Sequence, residues 1–171
     1  MNKLLVAFSA VGLLAADTAF ASVYTVSPGE ILQITDAIAG DYADGLAFAD
    51  ETGVVEFDTS SAPTMVISGA GTVRKVTAAA WTMTTPIPDF TGVYDLEAGV
   101  TSFSVAKVFG ADTSPFQILY VRDGATLSFV KYATSKLNYR TIHAAGRGVD
   151  GRGALEMVDT ASDTSYGQFR N

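Results

Sequence analysis

The sequence predicts an all-β protein built as a right-handed β-helix, a solenoid in which short parallel strands stack in successive coils. The apolar runs of this 171-residue chain are short and rich in Val, Ile, Thr, Phe and Tyr, which favours strands over long helices. Several runs alternate polar and apolar residues, as a strand with one solvated face requires. A glycine followed at once by a strand also recurs at a spacing typical of one solenoid coil.

Residues 1–21 are predicted to be a signal peptide, formed as a helix and removed on export. Lys3 precedes an apolar run at 4–16, which is shorter than the roughly 20 residues that a membrane span needs. Small residues at Ala19 and Ala21 fit the cleavage rule, so we expect cleavage after residue 21. A buried N-terminal helix is the alternative interpretation.

Residues 22–171 are predicted to form the solenoid. They contain no Cys, which excludes disulfide bonds and thiolate metal ligands, and no apolar stretch long enough to anchor the mature chain in a bilayer. Export without cysteine indicates a bacterial protein that is secreted or displayed on the cell surface. The solenoid pattern runs almost to Asn171 without a capping segment, so we expect the native protein to continue past this residue.

The strands are predicted from the apolar runs. In chain order they are 23–26, 31–34, 54–57, 64–67, 72–76, 93–96, 100–105, 118–121, 126–130 and 154–158. The alternative fold is a β-sandwich, whose turns would also recur at short intervals but whose strands would form two facing antiparallel layers.

Six glycines are predicted to form the bends before strands. They are Gly29, Gly53, Gly71, Gly99, Gly124 and Gly153. A coil must bend sharply before each strand, often with a positive φ, and glycine adopts that conformation without steric cost. The spacing between successive members is uneven but lies mostly in the twenties, which is what one coil of two or three short strands would use.

Three consecutive stretches carry a resemblance to a known repeat. They are SGAGTVRKV at 68–76, FTGVY at 90–94 and LEAGVTSF at 96–103, and in this order they resemble the autotransporter-associated β-strand repeat of bacterial passenger regions. DGATLSF at 123–129 repeats part of the pattern, and 142–155 resembles a glycine-rich corner of long solenoid proteins. The resemblance implies a right-handed β-helix in a secreted or surface-displayed passenger protein.

Composition excludes several function classes. Lys and Arg number 11 against 18 Asp and Glu, so the net charge is −7 and we expect no nucleic-acid partner. His143 is the single histidine, which excludes a multi-histidine metal site, and we assign no metal, cofactor or catalytic residue. Residues 146–151 match GxGxxG, but no helix is predicted after them, so a turn is the preferred interpretation over a dinucleotide site.

Acidic residues gather early in the chain and basic residues late. Seven acidic and no basic residues lie within 36–58, whereas 131–152 holds five basic residues and one acidic residue. Pairs such as Asp41 with Asp44, or Asp50 with Glu51, are expected to cap turns or face solvent. The uneven charge is expected to serve solubility, and the alternative is head-to-tail attraction between molecules or attraction to an anionic surface polymer. The partners considered are a surface polysaccharide or neighbouring solenoid coils.

The aromatic residues are expected to divide between core and surface. Phe103 and Phe129 hold equivalent places in successive glycine-strand units, so we expect them in the core. Trp81, in a Thr- and Pro-rich stretch, and Tyr94 are the candidates for exposed aromatic residues.

These observations predict an exported structural or surface-display solenoid, an autotransporter-like passenger or adhesin without catalysis. One alternative is a carbohydrate-active β-helix enzyme, a lyase or hydrolase, which would require Asp, Lys and Arg clustered on one outward face. The other is a carbohydrate-binding module, which would require Trp81 and Tyr94 to line one exposed groove.

Overall fold

Short parallel strands stack on one another throughout the described part of the chain. The computed structural model describes residues 22–103, 108–110, 118–130 and 141–158. In chain order the strands are β1 (Tyr24–Val26), β2 (Ile31–Thr35), β3 (Leu46–Phe48), β4 (Val54–Asp58), β5 (Ile67–Ser68), β6 (Thr72–Lys75), β7 (Trp81–Met83), β8 (Val93–Leu96), β9 (Gly99–Phe103), β10 (Ile118–Val121), β11 (Ala125–Val130), β12 (Thr141–Ala144) and β13 (Leu155–Val158). Two short 3₁₀ turns, Ala39–Tyr42 and Val149–Gly151, are the helical structure among these residues.

The strands form three parallel sheets. The central sheet has the order β12-β10-β8-β6-β4-β2, a second sheet has the order β13-β11-β9-β7, and a third has the order β1-β3-β5. Each strand of the central sheet pairs with the strand of the next coil, in parallel. The predicted all-β solenoid is therefore confirmed, and the described strands do not form the antiparallel layers of a sandwich.

The length of a coil varies along the solenoid. In the central sheet Gln33 is the register partner of Glu56, 23 residues later, and Glu56 is the partner of Arg74, 18 residues later. The coil that brings Leu119 beside Tyr94 is longer than either. The corners absorb these differences, because the strands themselves stay in register.

Alternation along the strands decides which side chains enter the core. Residues at the second and fourth positions of the central strands point inward, and those beside them point outward. The first inward row contains Leu32, Val55, Val73, Tyr94, Leu119 and Ile142, and the second contains Ile34, Phe57, Lys75, Leu96 and Val121. These rows run along the solenoid and form a continuous core with the inward residues of the other sheets.

Aromatic rings pack edge to face within this core. Phe103 and Phe129 are register partners on β9 and β11, and their ring centroids lie 5.6 Å apart. The predicted place of Phe103 in the core is confirmed, whereas Phe129 is partly buried and packs against the core. Phe109 joins Phe103 to Tyr94, with centroid distances of 5.4 and 5.1 Å. The chain of rings links the first inward row of the central sheet to the second sheet.

The prediction that Trp81 and Tyr94 are exposed is wrong, since they are only 1% and 2% exposed. Trp81 opens β7 on its inward side, and its Nε1 donates a hydrogen bond to the Thr59 carbonyl at 3.1 Å. Tyr94 lies in the first inward row, and its hydroxyl donates to the Val108 carbonyl at 3.4 Å. Both polar tips find backbone acceptors, which allows the rings to be buried.

The six predicted glycines belong to two different corners. Gly29, Gly53 and Gly71 precede strands of the central sheet, whereas Gly99, Gly124 and Gly153 lie at the start of β9, β11 and β13 in the second sheet. Their uneven spacing follows in part from this, because the interval from Gly71 to Gly99 passes from one corner to the other.

A positive φ explains only part of the glycine set. Gly29, Gly99, Gly124 and Gly153 have positive φ, as expected for sharp bends. Gly71 does not, and a Cβ there would overlap the ring of Phe48. Close packing at the corner therefore explains that glycine.

Three strands were missing from the prediction, namely β3, β7 and β12. They are three or four residues long, and β7 lies in a stretch whose Thr and Pro content indicates a loop. The predicted signal peptide at 1–21 and the end of the chain at Asn171 lie outside the described residues. Among the described residues, no helix has the length and hydropathy needed to cross a membrane.

Candidate functional site

The outward side chains of the central sheet form a continuous row along the solenoid. We call this the outer row, and its members are register partners on successive strands: Gln33, Glu56, Arg74, Asp95, Tyr120 and His143. The row arises because each of these residues lies between two inward residues of its strand. It places hydrogen-bonding, charged and aromatic groups on one face.

A hydrogen bond and two ion pairs hold the side chains of the first half of the outer row. Gln33 Nε2 donates to Glu56 Oε1 at 3.0 Å, and Arg74 Nη1 donates to the other Glu56 oxygen at 3.3 Å. Arg74 Nε lies 3.3 Å from Glu97 Oε1, as an ion pair without hydrogen-bond geometry. Arg74 therefore stands between two carboxylates from the preceding and the following coil.

The second half of the row is built around Tyr120. Arg122 donates two hydrogen bonds to Asp95, from Nε to Oδ1 at 2.6 Å and from Nη2 to Oδ2 at 3.0 Å. The same guanidinium lies over the Tyr120 ring, 4.3 Å from its centroid. The His143 ring stacks on Tyr120 with centroids 5.0 Å apart and an interplanar angle of 23°.

Arg122 and His143 contact Tyr120 from opposite directions along the solenoid. Asp95, which holds Arg122, is the register partner of Tyr120 on the preceding strand, and His143 is its partner on the following strand. The hydrogen bonds from Arg122 to Asp95 raise the pKa of Arg122 further above its ordinary value, so the guanidinium is always charged. The outer row thus ends in a fixed stack of one guanidinium and two rings.

An apolar row lies beside the outer row on the same face. It is formed by the first residues of the central strands, namely Ile31, Val54, Thr72, Val93, Ile118 and Thr141. Val54, Val93 and Ile118 are half-buried and Ile31 is 60% exposed. The face therefore offers an apolar strip parallel to a polar strip.

The second sheet carries a different outward row. Thr82, Ser102 and Ser128 are register partners there, and the Thr82 and Ser102 hydroxyls are 3.1 Å apart. The row continues at Glu156 of β13, the register partner of Ser128, which forms an ion pair with Arg152. The outward row of the second sheet thus begins with short hydroxyl side chains and ends in an ion pair, whereas the outer row of the central sheet combines charged side chains with aromatic rings.

The ionisable side chain of Lys75 lies inside the solenoid. Lys75, in the second inward row, is 0% exposed, and its Nζ donates to the carbonyls of Thr77 at 2.6 Å and Ala98 at 2.5 Å. The ammonium also lies 5.2 Å from the centroid of a Trp81 ring. Burial lowers the pKa of Lys75 to about 8, since the charged form loses its hydration. No carboxylate of the described residues pairs with it.

The acidic pairs named from the sequence do not form a common site in the described structure. Asp50 accepts hydrogen bonds from the Thr52 backbone N–H at 2.8 Å and hydroxyl at 2.7 Å, which lower the pKa of Asp50 and cap its turn. Asp41, Asp44 and Glu51 lie on the surface. Within the described ranges no group of three or more acidic or histidine residues is arranged to hold a metal ion.

The GxGxxG match at 146–151 forms a corner. Gly146, Gly148 and Gly151 all have positive φ, and the next regular strand is β13. A dinucleotide fingerprint would open a helix at this place. The interpretation as a turn is therefore confirmed.

The outer row was not predicted as a site, although its parts were visible. Arg74 and Lys75 are adjacent, so one of them had to point inward if 72–76 is a strand. The sequence does not give the exact register between coils. Without the register, Asp95, Tyr120 and His143 could not be recognised as neighbours on successive strands. Comparison with protein-family models, curated proteins and solved structures gives no match for this chain.

Proposed function

We propose that this chain is an exported structural solenoid that presents its outer faces at the bacterial cell surface or in the medium, without catalysis of its own. The observation that carries the proposal is the unbroken pairing of the central sheet from β2 to β12. In such a stack each coil contacts only its neighbours, so length and a long lateral surface are what the fold provides.

The resemblance to the autotransporter-associated repeat supports the same proposal. Its three stretches, 68–76, 90–94 and 96–103, contain β6, β8 and β9, which belong to two successive coils. The predicted signal peptide and the lack of Cys also favour export to a bacterial surface.

Export of the full chain tests the proposal. Expressed with residues 1–21 in a bacterial host, the protein is expected outside the cytoplasm and to begin at Ser22, as measured by cell fractionation and N-terminal sequencing. Leu13→Asp interrupts the apolar run and should keep the chain inside. A wild-type product that stays in the cytoplasm with its first residues uncut would contradict the proposal.

A carbohydrate-active enzyme is the second candidate, because one observation favours it. Glu56, Arg74 and Asp95 lie together in the outer row, and this alternative requires acidic and basic residues on one outward face. Arginine ion pairs engage both carboxylates, which favours a binding role over acid-base chemistry. Release of new reducing ends or unsaturated sugars by the wild type, lost in Asp95→Asn, would support the enzyme. No product from neutral or acidic polysaccharides would contradict it.

A further inference from the structure

The outer face of the central sheet has a layout that a purely structural role does not require. The apolar row and the outer row are two positions apart along each strand, so two parallel strips run along the solenoid axis. A solvated sheet face needs only polar side chains to remain soluble. Val54, Val93 and Ile118 instead leave a partly open apolar strip beside the charged groups.

At the Tyr120 end of the face, the Arg122 guanidinium is fixed in place and keeps hydrogen-bond donors for a ligand. Arg122 uses two N–H groups on Asp95, and a guanidinium has five, so three donors remain available. Its side chain is 48% exposed, whereas that of Asp95 is 9% exposed. Because Asp95 and the Tyr120 ring hold the guanidinium in place, little side-chain entropy would be lost on binding.

A linear glycan matches this layout better than a peptide does. A sugar chain has C–H faces that pack on apolar or aromatic groups and hydroxyl edges that bind guanidinium and carboxylate groups. Coils repeat about every 4.8 Å along the axis, close to the length of one sugar unit in an extended chain. A peptide strand would instead bind a sheet edge through backbone groups, and this face offers side chains alone.

The charges select an uncharged glycan. Eight acidic residues and no basic residue lie within 22–66, the coils at one end of the face. In the ion-paired part, three carboxylates, those of Glu56, Asp95 and Glu97, stand against the guanidinium groups of Arg74 and Arg122. A polyanion would be repelled by the acidic coils of 22–66, whereas a neutral chain could lie along the whole face.

We propose that the outer face of the central sheet binds a linear, uncharged glycan along the solenoid axis, with Arg122, Tyr120 and His143 as its main contact. This binding site is independent of the export proposal. Among the described residues, Arg122 and His143 are exposed and Tyr120 is half-buried.

Calorimetric titration of the full chain tests the site. The probes are glucose hexasaccharides with β-1,4, β-1,3 or α-1,4 linkages, a mannose hexasaccharide, and a galacturonic acid hexasaccharide as the anionic probe. We expect saturable binding of at least one neutral hexasaccharide and weaker binding of the anionic one. Arg122→Ala and Tyr120→Ala should each lower the affinity about tenfold or more, and the disaccharide of the preferred sugar should bind more weakly than the hexasaccharide.

Thr82→Ala and Ser102→Ala, on the outer face of the second sheet, are the matched controls and should leave the affinity unchanged. Circular dichroism of each variant verifies that the solenoid is intact, and Arg122→Lys provides a second, milder test of the guanidinium geometry. The proposal is overturned if no neutral hexasaccharide binds at millimolar concentration, if the anionic probe binds more tightly, or if the control variants weaken binding as much as Arg122→Ala. Equal affinity for disaccharide and hexasaccharide would overturn the placement along the axis.

Discussion

The inner and outer faces of the central sheet belong to the same hydrogen-bonded strands but stabilise their charged side chains in different ways. On the outer face Arg74 and Asp95 each meet an opposite charge from another strand or corner. On the inner face Lys75 is enclosed and relies on two backbone carbonyls and an aromatic ring. The inner face therefore governs stability, whereas the outer face can change its side chains at little cost to the fold.

The largest expected effect comes from opening a cavity on the inner face. Phe57 is fully buried, and its ring lies 6.0 Å from the Trp81 ring. Phe57→Ala should lower the free energy of unfolding by about 3–5 kcal/mol, measured by urea denaturation. Asp58→Ala, on the exposed neighbouring residue, is the control and should change it by less than about 0.5 kcal/mol. Equal effects of the two substitutions would remove the distinction between the faces.

The buried lysine should make stability depend on pH. Lys75 titrates at about 8 in the folded protein and near 10.5 when unfolded, so the folded state binds fewer protons between these values. The free energy of unfolding should therefore rise with pH from 8 to 10.5, by roughly 3 kcal/mol relative to Lys75→Met. Below pH 8 the lysine is protonated in both states, and the difference between the proteins should be constant.

Urea denaturation of both proteins across this pH range checks the prediction, because the titration of other groups cancels in the comparison. Curves that run parallel from pH 8 to 10.5 would show that Lys75 keeps its ordinary pKa and that its charge costs nothing inside the core.

A smaller effect is expected at the corner that leads into β8 of the central sheet. Gly92 lies so close to the preceding coil that a Cβ would overlap the carbonyl oxygen of Gly71. Gly92→Ala should lower the free energy of unfolding by about 1–3 kcal/mol, because backbone must shift to accept the methyl group. At Gly40 an added Cβ meets nothing within 4 Å and φ is not positive, so Gly40→Ala is the matched control. A neutral Gly92→Ala would mean that the coils separate easily at this corner.

The smallest effect on stability is expected on the outer face. Arg122→Ala removes an ion pair with a half-exposed guanidinium, and because the truncation lets water reach the Asp95 carboxylate, it should cost about 1 kcal/mol or less. The same substitution is expected to lower the affinity for the glycan about tenfold or more. The outer face would then govern binding, whereas the inner face governs stability. A loss of several kcal/mol in thermal or urea denaturation would instead assign Arg122 a structural role.

The sequence predicted the solenoid because short alternating strands and recurrent glycines depend on local backbone chemistry. It also placed Phe103 correctly in the core, and the equivalent place of Phe129 after the next glycine sets that ring against Phe103 at the edge of the core. It failed for Trp81 and Tyr94, whose burial depends on acceptors from distant residues, the Thr59 and Val108 carbonyls.

The candidate site was beyond prediction for a related reason. The outer row exists only once the offset between coils is known, and this changes from 23 residues between Gln33 and Glu56 to 18 residues between Glu56 and Arg74. Glycine spacing did not supply the offset, because the glycines belong to two corners. Tyr120 and His143 are distant in the sequence and become neighbours through the register alone.

Corners of different length joined to strands of constant register have an evolutionary consequence. A corner can gain or lose residues without shifting the strands beside it. The number of residues in a coil and the spacing of the outer row can therefore change independently in evolution. A descendant of this chain could gain or lose a whole turn by duplication, and the residues that touch a ligand would keep their spacing. Each added coil would lengthen the outer face by one strand spacing, about 4.8 Å.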